Sequence, residues 1–68
     1  MKVEVFIERE NAKKTVELDG NTKVIDLLKT LNINPVSVIV SKNGEVVIED
    51  TLIKDKDKID IYSVVSGG

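Results

Sequence analysis

One stretch, "NTKVIDLLKTLNINP" from Asn21 to Pro35, carries a helical hydrophobic period, while the segments on either side of it alternate apolar with polar residues. Val24, Leu27, Leu28 and Leu31 fall at i, i+3, i+4 and i+7, the stripe of an amphipathic helix packed on a core. Asn21 or Thr22 is placed to cap its start, Asp26 lies early where the helix dipole favours an anion, and Asn32 followed by Pro35 ends it. A single helix covers one face of a sheet and leaves the other uncovered, so the chain is confined to an α+β roll.

The alternating segments supply that sheet. In "KVEVFIER", Val3, Val5 and Ile7 share one face, and Glu4, Phe6 and Glu8 share the other. A polar turn around Asn11 leads to "KTVEL", in which Val16 and Leu18 share a face, so the two segments form an antiparallel hairpin that Asp19 and Gly20 bring to an end. After Pro35, "VSVIVSKNGEVVIED" reads as two strands about Asn43-Gly44, a pair whose tolerance of positive φ suits a type I′ turn. Thr51 and Leu52 lead into a short turn or 3₁₀ segment, and "KIDIYSVV" alternates again. The helix-facing set is Val3, Val5, Ile7, Val16, Leu18, Val38, Val40, Ile59 and Ile61. The opposite parity holds Phe6, Ile39, Tyr62 and Val64, a cluster of large apolar residues on an open face and hence a candidate partner surface.

The 68 residues make one domain near the lower size limit for a single core, and with no cysteine and no histidine neither a disulfide nor a zinc site supports it. Ten basic against twelve acidic side chains give a net charge of −2 with the signs interleaved, which argues against nucleic acid as a direct partner. No apolar run approaches a membrane span, and "MKVEVFIERE" is unlike a signal peptide, so a cytoplasmic protein, monomeric when free, is expected. With Met1 at its start, the chain is expected to own its closing glycines rather than to carry them from an expression linker. The "KDKDK" run from Lys54 to Lys58 alternates in sign before a strand and reads as a solvated turn. No histidine base, thiol nucleophile or glycine-rich phosphate cradle is present, and the carboxylates sit where solubility accounts for them, so an enzyme is not expected. Any chemistry falls to the end of the chain, "SVVSGG".

The strand order, the "NTKVIDLLKTL" helix, the "KNGEVV" hairpin and the ending "IDIYSVVSGG" together resemble the ubiquitin-like β-grasp sulfur carriers, the ThiS and MoaD group with their archaeal relatives. The resemblance spans the whole chain. Its specificity lies at the end, because a terminal glycine pair arises by chance in roughly one chain in 200. It implies a β-grasp roll over residues 1–64, with a mixed sheet of four to five strands and one main helix, followed by a flexible Gly-Gly tail over residues 65–68. Two departures stand out. "DKD" places Lys56 where relatives often have glycine, and "YSVVSGG" lacks the proline-containing approach of the molybdopterin subunits, which leans the likeness toward the thiamine-type or general archaeal carriers.

The resemblance also implies a chemistry. A terminal carboxylate, with a pKa of about 3.5, is a poor acyl acceptor until activated. In such carriers an ATP-dependent adenylating enzyme of the ubiquitin-activating type joins it to AMP, and sulfur from a persulfide donor then replaces the AMP. By that implication Gly68 carries the thiocarboxylate, with Gly67, Ser66 and Val65 as the tail that delivers it, and Phe6, Ile39, Tyr62 and Val64 meet the partner. No bound cofactor is implied, since ATP belongs to the partner. Val64 to Gly68, fully extended, reach at most about 17 Å. The sulfur-acceptor enzyme is left open between thiazole formation for thiamine, tRNA thiolation and molybdopterin synthesis. Two other readings remain: a protein modifier conjugated through Gly68 to target lysines, and a non-covalent β-grasp interaction module.

Overall fold

The computed structural model describes residues 1–64. Strand β1 (Lys2–Ile7) passes through a 3₁₀ turn (Glu8–Glu10) into β2 (Ala12–Glu17), and helix α1 (Val24–Thr30) follows. A second 3₁₀ turn (Pro35–Ser37) precedes β3 (Val38–Lys42), β4 (Glu45–Val47) and β5 (Lys58–Ser63). The five strands form one mixed sheet in the order β2-β1-β5-β3-β4. The central pair β1–β5 is parallel, with Val5 opposite Ile59 and Ile7 opposite Ile61, and the other pairings are antiparallel. This is the β-grasp roll, with α1 packed across one face.

Period-two alternation decides which side of each strand meets the helix. Val3, Val5, Ile7, Val40, Ile59 and Ile61 are buried against Val24, Leu27 and Leu28, with Val16, Val38 and Leu31 partly buried at the margins. Three further core residues lie outside the strands and helix: Leu18, just past β2 as its parity predicts, and Ile33 and Ile53, which come from loops. Ile33 is fixed by the helix ending: Asn32 adopts a left-handed conformation (φ 60°), its N–H donates to the Lys29 carbonyl, and the Ile33 N–H donates to the Leu28 carbonyl at 2.8 Å. That is a Schellman stop with asparagine in the usual glycine position, and it turns Ile33 back onto the core.

The helix start differs from the expectation. Neither Asn21 nor Thr22 caps it, because Asn21 is left-handed (φ 67°) and the Thr22 hydroxyl donates to the Asp19 carbonyl at 2.6 Å. Lys23 holds the cap position, and its N–H donates to Asp26 Oδ2 at 3.1 Å. The first free amides of the helix are satisfied tertiarily, Val24 donating to the Thr51 carbonyl and Ile25 to the Glu49 carbonyl, both at 2.9 Å. Thr51 and Leu52 lead, as expected, into a short turn, at Asp55–Lys56, and Leu52 on the way bridges Lys23 and seats the helix. Strand β3 likewise starts at Val38, because Asn34 caps the 3₁₀ turn through its side chain and Val36 is spent there.

The Lys54–Lys58 run is a turn, but not a uniformly solvated one. Asp57 is buried, accepting from the Lys54 N–H at 2.7 Å and from Asn43 Nδ2 at 2.9 Å, with Lys42 Nζ 3.8 Å away. Burial pushes its carboxyl up, but the Lys54 amide, the Asn43 amide and the ammonium groups of Lys42 and Lys54 together outweigh that and hold it below its ordinary value. Lys56 takes the left-handed conformation (φ 68°) that glycine would adopt without strain. Among the described residues no helix is long and apolar enough to cross a membrane.

Candidate functional site

The described residues close at Val64, and the sheet holds Ser63 and Val64 from both sides. On the β3 side, Ser63 pairs with Val38, and the Val64 N–H donates to the Ser37 carbonyl at 3.0 Å. On the β1 side, the 3₁₀ turn at Glu8 takes the backbone out of the sheet, leaving the Ser63 N–H without a strand partner. The Glu8 carboxylate replaces it, Oε1 accepting from Ser63 N at 3.3 Å. A cavity of about 230 Å³ lies beneath, with Ile7, Ile33, Val38 and Ile61 among its lining and Arg9 and Ser37 at its rim. The direction in which β5 leaves the domain is therefore fixed by Glu8 and Ser37, residues that alternation does not single out.

The open face of the sheet adjoins this end of β5. Strand registers place Tyr62 directly opposite Ile39, and the exposed Val64 lies farther along the parity of Tyr62. Phe6 occupies the next row, between Lys13 on β2 and Asp60 on β5, with Ser41 and Val46 continuing that row across the sheet. It is half-buried and lines a small cavity with Glu4, Lys13, Lys58 and Asp60. The structure thus joins Ile39, Tyr62 and Val64 on one side of the face and sets Phe6 among charged side chains on the other. Ser41 Oγ and Asp60 Oδ2, 3.5 Å apart, separate the two.

Sequence reasoning missed Val46 and Ile48, which are 75% and 73% exposed. The signal was present in "EVVI", where Val46 and Ile48 share the parity opposite Val47. Val65, Ser66, Gly67 and Gly68 lie outside the described residues.

The family model described as the ThiS family matches residues 3–68 of this chain. The sulfur carrier protein TtuB of Thermus thermophilus is 29% identical over 56 residues, which cover 82% of this chain and 86% of that protein. Among solved structures, the thiamine biosynthesis protein ThiS of Geobacter metallireducens superposes over the full length of both chains with a TM-score of 0.72 and 27% identity. SAMP1 of Haloferax volcanii superposes equally completely, with a TM-score of 0.77 and 20% identity, a likeness of fold.

Proposed function

The chain belongs to the ThiS family of carrier proteins, and from that premise we propose that it carries sulfur as a thiocarboxylate on Gly68. The observation supporting this reading most directly is that the family match runs through to residue 68 and so includes both Gly67 and Gly68. A carboxylate at that position has no acyl reactivity of its own at neutral pH. In the proposed sequence it attacks the α-phosphorus of ATP in a ubiquitin-activating-type enzyme, pyrophosphate leaves, and the acyl-adenylate becomes a competent acceptor. The terminal sulfur of a persulfide then displaces AMP to give an acyl disulfide, and a thiol cleaves its S–S bond, leaving the thiocarboxylate on Gly68 and the donor's remaining sulfur joined to the thiol as a disulfide.

This protein's share of that chemistry is positioning. Its body stays docked through Ile39, Tyr62 and Val64 while the tail enters the partner's active site, and Gly67, having no Cβ, lets the backbone approach the nucleotide closely. The likeness to the sulfur carrier protein TtuB and to the thiamine biosynthesis protein ThiS of Geobacter metallireducens favours delivery of sulfur over conjugation to lysines. The test is incubation of the intact chain with its adenylating enzyme, ATP, a persulfide donor and a thiol reductant. The expected result is pyrophosphate release followed by a mass change equal to exchange of one oxygen for sulfur. Pyrophosphate release with transfer of the acyl group only to lysine side chains would replace this reading with a protein modifier.

A further inference from the structure

The two edges of the sheet are unlike. Strand β2 is six residues long and carries Lys13 and Lys14, side chains that discourage pairing with a further strand. Strand β4, three residues long with Glu45 at its start, carries no lysine. The two-residue turn at Asn43-Gly44 makes Lys42 and Glu45 a hydrogen-bonded pair, so by the alternation of an antiparallel ladder Val46 directs its N–H and C=O away from β3, toward solvent.

Both flanks of that edge are shaped to receive side chains. On the helix side, a groove of about 370 Å³ is lined by Val24, Leu28, Pro35, Val38 and Val47, among others. Ile39, Val46 and Ile48 also border this groove, and by strand parity their exposed side chains belong to the opposite side of the sheet, where Val46 and Ile48 adjoin Ile39. The far end of the edge is held in place, since the Glu49 carbonyl accepts from Ile25 and the Thr51 N–H donates to the Ile48 carbonyl. Acidic groups surround it: Glu45, Glu49 and Asp50, of which Asp50 lies 3.9 Å from Lys23.

We propose that the β4 edge accepts an extended segment of another protein as a sixth strand, one with small branched apolar residues at alternate positions and lysine or arginine at its ends. Alternate side chains of such a segment fall into the groove and onto Val46 and Ile48, while its basic ends meet Glu45, Glu49 and Asp50. A second copy of this chain fits poorly. Two β4 edges would bring the same three carboxylates together. The β2 edge, though basic, presents Lys14 between Ala12 and Val16 on one parity and Lys13, Thr15 and Glu17 on the other, so either orientation places charge in the apolar groove. The proposal rests on the β4 edge and not on the carrier reading, and it meets the Tyr62 face only at its margin, where Val46 and Ile48 adjoin Ile39.

The experiment is a titration of the isotopically labelled full chain with a synthetic peptide in which valine and threonine alternate between lysine pairs, followed by amide shifts and hydrogen exchange. The expected result is shifts centred on residues 45–49 and on the methyl groups of Val24 and Leu28, with slowed exchange at Val46. Replacing the peptide lysines by glutamate, or making the Glu45→Lys/Glu49→Lys variant, should weaken binding about tenfold with the fold unchanged, as judged by melting temperature. Shifts centred on Tyr62 or on β2, the absence of shifts at millimolar peptide, or concentration-dependent self-association in place of peptide binding would overturn the proposal.

Discussion

Asp57 shows how much a single side chain does in a domain this small. Its carboxylate ties the β3–β4 turn, through Asn43, to the loop that feeds β5, and Asn43 in turn accepts from the Lys58 N–H with its Oδ1 at 3.0 Å. Asp57→Ala leaves the Lys54 amide and the Asn43 side chain without their partner, at an expected cost of about 1–3 kcal/mol in urea unfolding. Because the folded pKa lies below the ordinary value of 3.8, the carboxylate's contribution is fully present above that value and is lost as pH falls through the folded pKa. The stability difference between wild type and Asp57→Ala should therefore shrink in acid below about pH 4, and a constant difference from neutrality down to pH 2 would contradict the assignment. The neighbouring Lys56 offers the opposite sign. It is strained by its positive φ, so Lys56→Gly should stabilise by about 0.5–1 kcal/mol, the relief of strain exceeding the added freedom of the unfolded chain. A lower melting temperature for that variant would mean that Lys56 makes a contact outweighing its strain.

At the scale of elements, the features legible in the sequence were those with a period. Val24, Leu27, Leu28 and Leu31 place the helix, and the parity of Val3, Val5, Ile7, Ile59 and Ile61 places the sheet's inner face, because burial on one side of a regular element imposes its repeat on the residues. Ile33 and Ile53 were not legible as core residues, since each is turned inward by a loop hydrogen bond and not by a repeat. The helix start was misread for a related reason: local capping rules weigh Asn21 and Thr22, whereas carbonyls of residues 49 and 51, distant in sequence, satisfy the amides. Of the candidate site, the pair Ile39–Tyr62 followed from parity alone, but the separation of Phe6 from it depends on register. Register between β1 and β5 is tied to the 54–57 turn by the Lys56 N–H donating to the Lys2 carbonyl and the Glu4 N–H donating to the Asp57 carbonyl, long-range bonds that the alternating charges of that turn do not specify. The helix assignment carries its own prediction. Leu28 is 1% exposed beneath the sheet, so Leu28→Ala should cost about 2–5 kcal/mol through the cavity it leaves. A melting temperature close to wild type would require the helix to sit in a different rotation.

At the scale of the whole molecule, the roll joins a body in which the strands lock one another to a chain end whose departure point is fixed. Ser63 is held by Glu8 and by Val38, and Val64 by Ser37, so the reach of Gly68 beyond the body is limited by the length of residues 65–68. Four residues span at most about 14 Å, and no slack in β5 exists to lengthen or shorten them. If Gly68 presents its carboxylate to a nucleotide in a partner's active site, that span acts as a ruler. One alanine added after Gly68 moves the carboxylate by about 3.5 Å and introduces a Cβ, which is far outside the tolerance for in-line attack on a phosphorus atom. Pyrophosphate release should then fall to background with the adenylating enzyme present, while melting temperature stays at the wild-type value because no core residue is touched. Binding of the extended chain to the enzyme should persist, since Ile39, Tyr62 and Val64 are unchanged, and this separates a misplaced carboxylate from a failure to dock. Adenylation of the extended chain without prior trimming would show that the enzyme does not measure the tail from the body, and the proposed role of Gly68 would fall with it.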